Sequence, residues 1–552
     1  MNIGTSSILL QLALDYNQLI SSAESGQVQQ QITDALVDDD IFDYKSDSDD
    51  ELDAELERLE DEMIIQMVIT NDKHQISFPN PTCNNKKRRK DRYDTSKSYF
   101  TNPATMQREP YTYEYSSWYI NYICNPLPER TKWAKTFRSR FRMPYSSFLD
   151  LAAQCNAHDL FATWSSQTGP HPYNKRKPVP MKLLVLSALR YLGRGWTTDD
   201  IEEATAISKE TIRIFLHKFM EFGASTLYNK YVLNPTSSAD FEDCENEFKM
   251  AGFPGCIGSA DASHIVMEVC PYCLRQLHLG YKLCHTTRKY NITVNHRRRI
   301  LSSTSGHPAR FNNKTLVLYD DFINALHFGK YDNTHRFTLL SYDNDGNIIH
   351  VKYRGCYVIV DNGYLSWSVM VLPIRDTNKR SEIRFSEWLE SLRKDVECTF
   401  SILKGRWRVL RYGIRLHGLL ACDCTWLTCI ALHNMLLEVD GLHAKWSRGY
   451  RSDWEDMDDI DTPDEMPNAI RRLLQPGSRT ISDLSGDGCG HDFVPTNNSI
   501  EDSSMEVTPV ADLEGYISVK DLSLEAFRKR LVLHFNIAFK EKQIVWPQRS
   551  NS

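Results

Sequence analysis

The sequence of 552 residues lacks both a secretory signal and an uninterrupted hydrophobic run long enough to cross a membrane. No basic residue precedes the short apolar run near the N-terminus, and Asp15 follows it, which makes a poor secretory signal. The most apolar later stretch, Leu419 to Val439, is interrupted by Asp423, His433 and Asn434. We therefore expect a buried helix there and no membrane partner. In an intracellular protein the fourteen cysteines are best interpreted as reduced thiols.

The composition has no strong bias. Hydrophobic residues make up 41% and charged residues 25% of the chain, which is typical of a soluble globular protein and excludes collagen-like, coiled-coil and wholly disordered classes. At roughly 100–200 residues per domain, the length predicts about three domains with tails.

The formal charge of −7 is the sum of unlike segments. Residues 34–63 contain fifteen acidic and two basic residues, a local charge of −13, so the rest of the chain carries +6. Residues 453–465 hold eight acids and no base, whereas residues 269–319 hold nine Lys or Arg and no acid. Resolved by segment, the charge therefore favours a nucleic-acid partner that the total seemed to exclude.

Five consecutive basic residues, 86–90, lie in a polar context. They are typical of a nuclear localisation signal or a phosphate-binding tail, and the alternative is a solvated charge run. We predict a nuclear protein, with the cytoplasm as a second compartment.

These shifts in composition predict five regions. They are an acidic, disordered tail with the basic run (1–110), a helical domain (111–250), a catalytic domain (251–440), an acidic linker (441–515) and a C-terminal docking helix (516–552).

The helical domain contains a helix-turn-helix pattern. Ser and Thr caps predict helices over Asp199–Thr205 and Lys209–Phe222, joined by a tight turn. Lys209, Arg213 and His217 follow at i, i+4 spacing on the exposed face of the second helix, as in a recognition helix that enters a DNA groove. The alternative is a purely structural three-helix packing.

The pattern of the catalytic domain is mixed α/β. Four short apolar or alternating runs predict strands, and a helix is predicted over about Arg384 to Val409. Strands followed by a long helix favour a mixed sheet flanked by helices. The strands are predicted at 255–261, 290–295, 348–353 and 357–361.

The predicted strands and long helix place three carboxylates where they can form one site. Asp261 and Asp361 are predicted at the C-terminal ends of buried strands, and Glu397 borders the apolar stripe of the long helix. Carboxylate oxygens are the ligands that Mg²⁺ or Mn²⁺ prefers, and two such ions can cleave a phosphodiester. Any one strand-end Asp is more often a turn cap, so the prediction depends on the set of three.

The same residues lie in recognisable blocks. Gly-Ser-Ala-Asp261, Val-Asp361-Asn-Gly and Val-Glu397-Cys-Thr-Phe resemble the three signature blocks of PIF/Harbinger-type DDE transposases. The resemblance implies an RNase H-like catalytic core preceded by the helix-turn-helix domain. It also implies that Asp261, Asp361 and Glu397 bind the catalytic metals.

The function that this resemblance implies is metal-dependent cleavage of DNA at transposon ends. A Myb-like DNA-binding protein is the implied partner, and a homo-oligomer is a further expectation. The alternative is a domesticated, catalytically silent regulator that binds DNA or chromatin.

Basic residues flank the predicted metal site in sequence. Beyond the recognition helix, DNA contacts are predicted for six of them, with a solvated basic face as the alternative. They are Arg297, Arg298, Arg299, Lys404, Arg406 and Arg408.

A second metal pattern is weaker. Cys270, Cys273, His278 and Cys284 are one residue away from a zinc-knuckle spacing. Because they follow the first strand of the predicted nuclease core, we expect no zinc there.

Overall fold

The computed structural model describes residues 99–101, 108–110, 112–128, 131–166, 177–279, 285–375, 377–444 and 515–546. The predicted acidic tail, basic run and acidic linker lie outside these residues. The chain divides into two compact units, one of which spans residues 17–111. Its described part is an antiparallel pair, β1 (Tyr99–Thr101) and β2 (Arg108–Pro110).

The other unit contains nine helices of eight or more residues within the described part. They are α1 (Lys132–Phe141), α2 (Tyr145–Ala157), α3 (Met181–Arg194), α4 (Thr198–Thr205), α5 (Lys209–Phe222), α6 (Ser238–Met250), α7 (Arg380–Arg406), α8 (Leu419–Val439) and α9 (Leu524–Lys540). Shorter α-helical turns include Tyr228–Tyr231, Asp321–His327 and Val409–Tyr412.

Capping explains the turn between α4 and α5. Thr197 and Asp200 form a capping box at the start of α4, and the Ser208 side chain accepts a hydrogen bond from the Thr211 backbone N–H at the start of α5. Ala206 ends α4 in the left-handed conformation, with φ 57°. The two helices predicted from sequence are therefore confirmed to within one residue.

A six-stranded mixed sheet forms the centre of the unit. Its main path runs β10-β9-β3-β4-β5, and β6 pairs with β4 outside that path. Strand β3 pairs antiparallel with β4 and parallel with β9, so the sheet is antiparallel on one side and parallel on the other. The strands are β3 (Cys256–Val266), β4 (Thr287–Val294), β5 (Ile300–Ser303), β6 (His307–Pro308), β9 (Tyr357–Ile359) and β10 (Met370–Val371).

A second sheet has three strands, two from the chain between β6 and β9 and one from the C-terminal segment. Strands β7 (Arg336–Tyr342) and β8 (Ile348–Arg354) form a hairpin, and β11 (Tyr516–Ser518) pairs parallel with β8. Helix α9 then packs on this sheet and on α7, where Phe535 lies against Phe253 and Trp388. The C-terminal segment thus contributes both a strand and a buried helical face to the fold.

The apolar stretch Leu419–Val439 is a helix in the core of the protein. Helix α8 is long and apolar enough to cross a membrane by length and composition, but 89% of its most apolar window is buried inside the protein. Asp423, His433 and Asn434, which interrupt the stretch, are buried and hydrogen-bonded. The predicted buried helix is confirmed.

Three of the predicted elements need corrected boundaries. Strand β3 does not end at Asp261 but continues to Val266, because each residue from Ser259 to Val266 pairs with β4. Strand β9 ends at Ile359, two residues before Asp361. The long helix begins at Arg380 and ends at Arg406, about one turn earlier than predicted at each end. The mixed α/β class predicted from sequence is confirmed.

Candidate active site

The sheet register brings Asp261 and Asp361 side by side. Ser259 pairs with Ile359 across the parallel strands β3 and β9. Two residues further along the chain come Asp261, which is still in β3, and Asp361, which follows the end of β9, and the charges of these two acids interact. The pairing of β3 with β9 therefore sets this juxtaposition.

Helix α7 supplies the third carboxylate. It packs along β3, with Val396 fully buried and Phe400 nearly so. Glu397 lies next to this buried stripe and keeps about 30% of its side chain exposed. It thus sits where the helix face meets the open edge of the site.

Arg393 joins two of the three carboxylates. Its Nη1 lies 3.4 Å from Oδ2 of Asp261, and its Nη2 lies 2.7 Å from Oε1 of Glu397. Its Nε contacts Oε2 of Glu390 at 3.2 Å, and only about 10% of the Arg393 side chain is exposed. One buried guanidinium therefore balances a group of acids that would otherwise repel one another.

Burial and mutual repulsion change the acidity of Asp261. Burial is the largest cause that raises the pKa of Asp261, to about 6, and the charges of Asp361 and Glu397 add to it. A hydrogen bond from the Ala262 backbone N–H (2.7 Å) and the charge of Arg393 act in the opposite direction. The three carboxylates are therefore close enough to interact, which is typical of a functional site.

Two lysines lie near the part of the sheet that carries Asp261. Nζ of Lys404 donates to Oγ of Ser263, two residues after Asp261, at 2.9 Å. Nζ of Lys289 donates to the Phe311 carbonyl at 2.7 Å. Burial lowers the pKa of Lys289 to about 8, while Asp261 and Asp361 act to raise it.

A buried hydrogen-bond chain supports the floor of the site. The Tyr364 hydroxyl donates to Oδ1 of Asn291 at 2.6 Å, and Nδ2 of Asn291 donates to Oδ2 of Asp320 at 2.7 Å. Asp320 in turn accepts from the backbone N–H groups of Phe322 and Ile323. Because Asn291 lies opposite Ala262 in the sheet, this chain fixes the strand that carries Asp261.

The donor chemistry of the three acids suits a hard divalent cation, because all three offer carboxylate oxygens. Among the described residues, however, no three His, Cys, Asp or Glu side chains are grouped closely enough to hold a metal ion. Arg393 lies between Asp261 and Glu397. The three carboxylates carry three negative charges and Arg393 carries one positive charge, so the net negative charge would attract a metal cation. Binding of the cation would require Arg393 to release at least one carboxylate.

The three predicted residues of the recognition helix lie on one face of α5. Lys209 and Arg213 are exposed and pair with Asp199 and Glu210, at 2.9 and 2.8 Å. His217 is half-buried, and burial together with the charge of Arg213 lowers its pKa. Their predicted contact with DNA stays a prediction.

The three consecutive arginines lie in the turn between β4 and β5 and point into the protein. Arg297 pairs with Asp243 at 2.6 Å, Arg298 lies 3.5 Å from Asp395, and Arg299 pairs with Glu438 at 2.8 Å. These contacts tie the turn to three helices, α6, α7 and α8. The DNA role predicted from their sequence remains untested, but in this structure their charges are engaged by acids.

The three basic residues predicted to bind DNA near the end of α7 lie in different environments. Lys404 contacts Ser263 on β3, Arg406 is buried with 1% of its surface exposed, and Arg408 is half-buried. Of the nine residues predicted to bind DNA, Lys404 is the one that the described contacts place beside β3, two residues from Asp261.

Sequence reasoning missed Arg393, Lys289, Tyr364 and Asn291. Arg393 could have been found, since it precedes Glu397 by four residues and shares its helix face. The other three depend on the pairing of β4 with β3 and on the chain reversal after Asp361, which no local pattern reveals.

The zinc-knuckle pattern lies only partly in the described structure. Nδ1 of His278 is 3.1 Å from the Thr287 carbonyl oxygen, and burial lowers the pKa of this histidine to about 4. Cys284 lies outside the described residues, and of Cys273 only the backbone is described. The expectation of no zinc there stays a prediction.

The segment that contains all three acids is similar to proteins encoded by plant transposons. Residues 229–444 match the family model described as plant transposon protein. The match confirms, for this segment, the resemblance to transposases carried by the blocks around Asp261, Asp361 and Glu397.

Two relatives from Arabidopsis thaliana are similar to this chain. The protein ALP1-like is 22% identical over 316 residues, which cover 55% of this chain and 71% of the relative. The protein named antagonist of like heterochromatin protein 1 is 23% identical over 261 residues, which cover 46% of this chain and 62% of the relative. No solved structure matches this chain significantly.

Proposed function

We propose that this protein is a nuclear, metal-dependent DNA endonuclease of the DDE type that cleaves phosphodiester bonds at transposon ends. The observation that carries the proposal is the electrostatic interaction of Asp261 with both Asp361 and Glu397. Asp261 lies on β3, Asp361 follows the parallel strand β9, and Glu397 lies on α7, so three separate elements supply the acids.

In this proposal the three carboxylates would hold Mg²⁺ or Mn²⁺, which supplies an activated water or 3′-hydroxyl and stabilises the leaving oxygen. Lys404 and Lys289 would orient the scissile phosphate from either side of β3. The buried chain from Tyr364 to Asp320 would keep β4 and β3 in register. Substrate entry would require Arg393 to release a carboxylate.

We infer further that the central sheet is RNase H-like. The support is its mixed order, with the first acid on the central strand β3 and the second two residues after the end of its parallel neighbour β9. We also infer that α4 and α5 form a DNA-binding helix-turn-helix. The ion pairs of Lys209 and Arg213 are exposed, and because such pairs contribute little stability they can be exchanged for phosphate contacts.

The decisive experiment is DNA cleavage by the full chain with Mg²⁺ or Mn²⁺. The substrate would carry the terminal repeats that flank the gene, and a Myb-like partner would be supplied. Asp361→Asn should abolish cleavage, while Asp345→Asn, at an exposed aspartate in the β7–β8 turn, should retain it. Equal activity of the wild type and Asp361→Asn would show that these acids are not the catalytic ones.

A second candidate is a domesticated protein that binds DNA or chromatin without cutting it. The observation in its favour is Arg393, whose guanidinium already supplies a cation to Asp261 and Glu397. One relative is named an antagonist of a heterochromatin protein. Binding of DNA by the wild type, with no cleavage under any metal condition, would select this candidate.

A further inference from the structure

A group of arginines lies away from the carboxylates, where α1 and α3 meet. It consists of Arg140 and Arg142 at the end of α1, Arg190 and Arg194 in the last turns of α3, and Trp196 just after α3. We call it the arginine–tryptophan cluster. None of these residues was predicted from sequence to bind a ligand.

Backbone geometry brings the arginines together. Arg142 follows α1 in the left-handed conformation, with φ 65°, and its Nε donates to the Gly193 carbonyl. Nη1 of Arg190 donates to the Arg140 carbonyl at 3.1 Å. The reversal of the chain after α1 is thus fixed by contacts with the end of α3.

Aromatic rings frame the guanidinium of Arg190. It lies 3.9 Å from the centre of the Trp196 ring and 6.0 Å from the centre of the Trp118 ring. Trp118 and Trp196 are themselves 5.9 Å apart. This is the geometry of a cation–π contact, which leaves the edge of the guanidinium free to donate.

Arg140 and Arg190 differ from exposed basic residues elsewhere in the described structure. Within the described residues neither Arg140 nor Arg190 has a carboxylate partner, whereas the exposed Lys209, Arg213 and Lys529 all do. The ten residues of α1 include no acid. Nε of Arg190 is buried without a hydrogen-bond partner among the described residues.

The mutual repulsion of these arginines contributes to a lowered pKa of Arg190. Burial lowers the pKa of Arg190 to about 10, and the charges of Arg194, Arg140 and Arg142 add to this effect. Holding like charges together costs free energy, which an anion would offset.

The cluster connects to the catalytic region through one short segment. Nη1 of Arg415 donates to the Gly195 carbonyl at 3.0 Å, and its neighbour Ile414 bridges to Met267, the residue after β3. A ligand on the cluster would therefore lie next to the segment that extends the strand of Asp261.

We propose that Arg140 and Arg190 of the arginine–tryptophan cluster bind the phosphodiester backbone of duplex DNA, as a second contact distinct from the carboxylate site and from α5, while the fully buried Arg142 holds the chain reversal. The inference rests on the proposed function, which supplies DNA as the substrate. Guanidinium groups match phosphate oxygens in a fork geometry. Trp133, 64% exposed and two helical turns before Arg140 on α1, adds an aromatic surface on the same side of that helix.

The test is the salt dependence of DNA binding by the full chain, measured by fluorescence anisotropy on a labelled duplex without metal, so that no cleavage intervenes. Each lost phosphate contact lowers the slope of log K against log salt by about 0.9. Arg140→Gln should lower the slope by about that amount, Arg140→Gln/Arg190→Gln by about twice that amount, and Arg140→Lys should largely restore it. Lys529→Gln, which removes the same charge on α9, should leave the slope unchanged.

Thermal unfolding of each variant separates binding from folding, because Arg140 also donates to the Tyr122 hydroxyl. Wild-type slopes in folded Arg140→Gln and in the folded double variant would overturn the inference while leaving DNA binding intact. Failure of the wild type to bind any duplex would overturn the proposed function as well. Loss of binding to anionic phospholipid vesicles, with DNA binding unchanged, would assign the cluster to a membrane surface and also overturn it.

Discussion

Asp423 is the residue on which the contact between α8 and the central sheet depends. Its carboxylate accepts from Nε and Nη2 of Arg288 on β4, at 2.7 and 2.6 Å, and from the Tyr290 hydroxyl at 2.7 Å. Arg288 also donates to the Gly306 carbonyl. A buried pair of this kind contributes little by itself, but removal of one partner strands the other charge in a medium of low dielectric constant.

We therefore predict that Asp423→Ala lowers the free energy of unfolding by about 3–5 kcal/mol, because Arg288 loses its counter-ion. The measurement is urea denaturation at pH 7.5. Glu525→Ala, which breaks the exposed pair with Lys529 on α9, should change it by less than about 0.5 kcal/mol. Similar losses in the two variants would contradict the role assigned to burial.

Arg393 provides a second prediction at this scale. Arg393→Gln removes the cation that Asp261 and Glu397 share, so the protein should be less stable without metal and should gain more stability from Mn²⁺ than the wild type does. The readout is the shift in melting temperature on addition of Mn²⁺. Lys394→Gln is the matched control, since Lys394 contacts Glu397 alone among the three acids.

A smaller Mn²⁺ shift in Arg393→Gln than in the wild type would contradict this interpretation. It would mean that Arg393 helps to build the metal site and does not compete with the ion.

At the scale of elements, His534 connects α9 to the three-stranded sheet. Its Nδ1 accepts from the Leu340 backbone N–H of β7 at 2.9 Å, so the ring must be neutral at this nitrogen. Burial lowers the pKa of His534 to about 4, and His350 adds to the effect. The unfolded chain, with an ordinary histidine pKa of about 6.5, therefore binds a proton more readily than the folded one.

The sign of the pH dependence follows. A histidine whose folded pKa is lowered contributes full stability above pH 6.5, and this contribution falls as the pH decreases towards 4. Between pH 7 and pH 5 the loss at His534 should reach about 2 kcal/mol. His534→Gln, which retains an acceptor, should lose that much less than the wild type over this range, measured by urea denaturation at both values.

His417→Gln, which replaces an exposed histidine, should follow the wild type. If His534→Gln also follows it, the ring of His534 titrates without opening the contact with β7.

The same scale explains what could be predicted from the sequence. Helices α4, α5 and α7 follow from local capping and from apolar spacing, so their bounds were close. The extension of β3 beyond Asp261 depends on pairing with β4, whose register no local pattern sets. The inward turn of Arg297 was missed for a related reason, because Asp243 and Glu247 on α6 are about fifty residues away.

At the scale of the whole molecule, residues 515–546 pack against strands and aromatic side chains from earlier parts of the chain. Strand β11 extends the β7–β8 hairpin, and α9 buries Phe527 against Tyr357 and Phe535 against Phe253, with ring centres 5.2 and 5.6 Å apart. Tyr357 is the first residue of β9, and Phe253 lies shortly before the start of β3, the strand that carries Asp261. The segment after residue 514 is therefore part of the core on which the carboxylates are mounted.

We predict that a chain ending at residue 444 exposes this aromatic surface and loses cooperative unfolding, since large exposed apolar patches favour aggregation. Co-expression of residues 515–546 as a separate chain should restore solubility and the cooperative transition, because the strand and helix contacts do not require a covalent link. Phe535→Ala in the full chain gives the graded case, with an expected loss of about 3–5 kcal/mol. A soluble chain of residues 1–444 that melts like the full protein would place the C-terminal segment outside the folding unit and would contradict the buried contacts of Phe527 and Phe535.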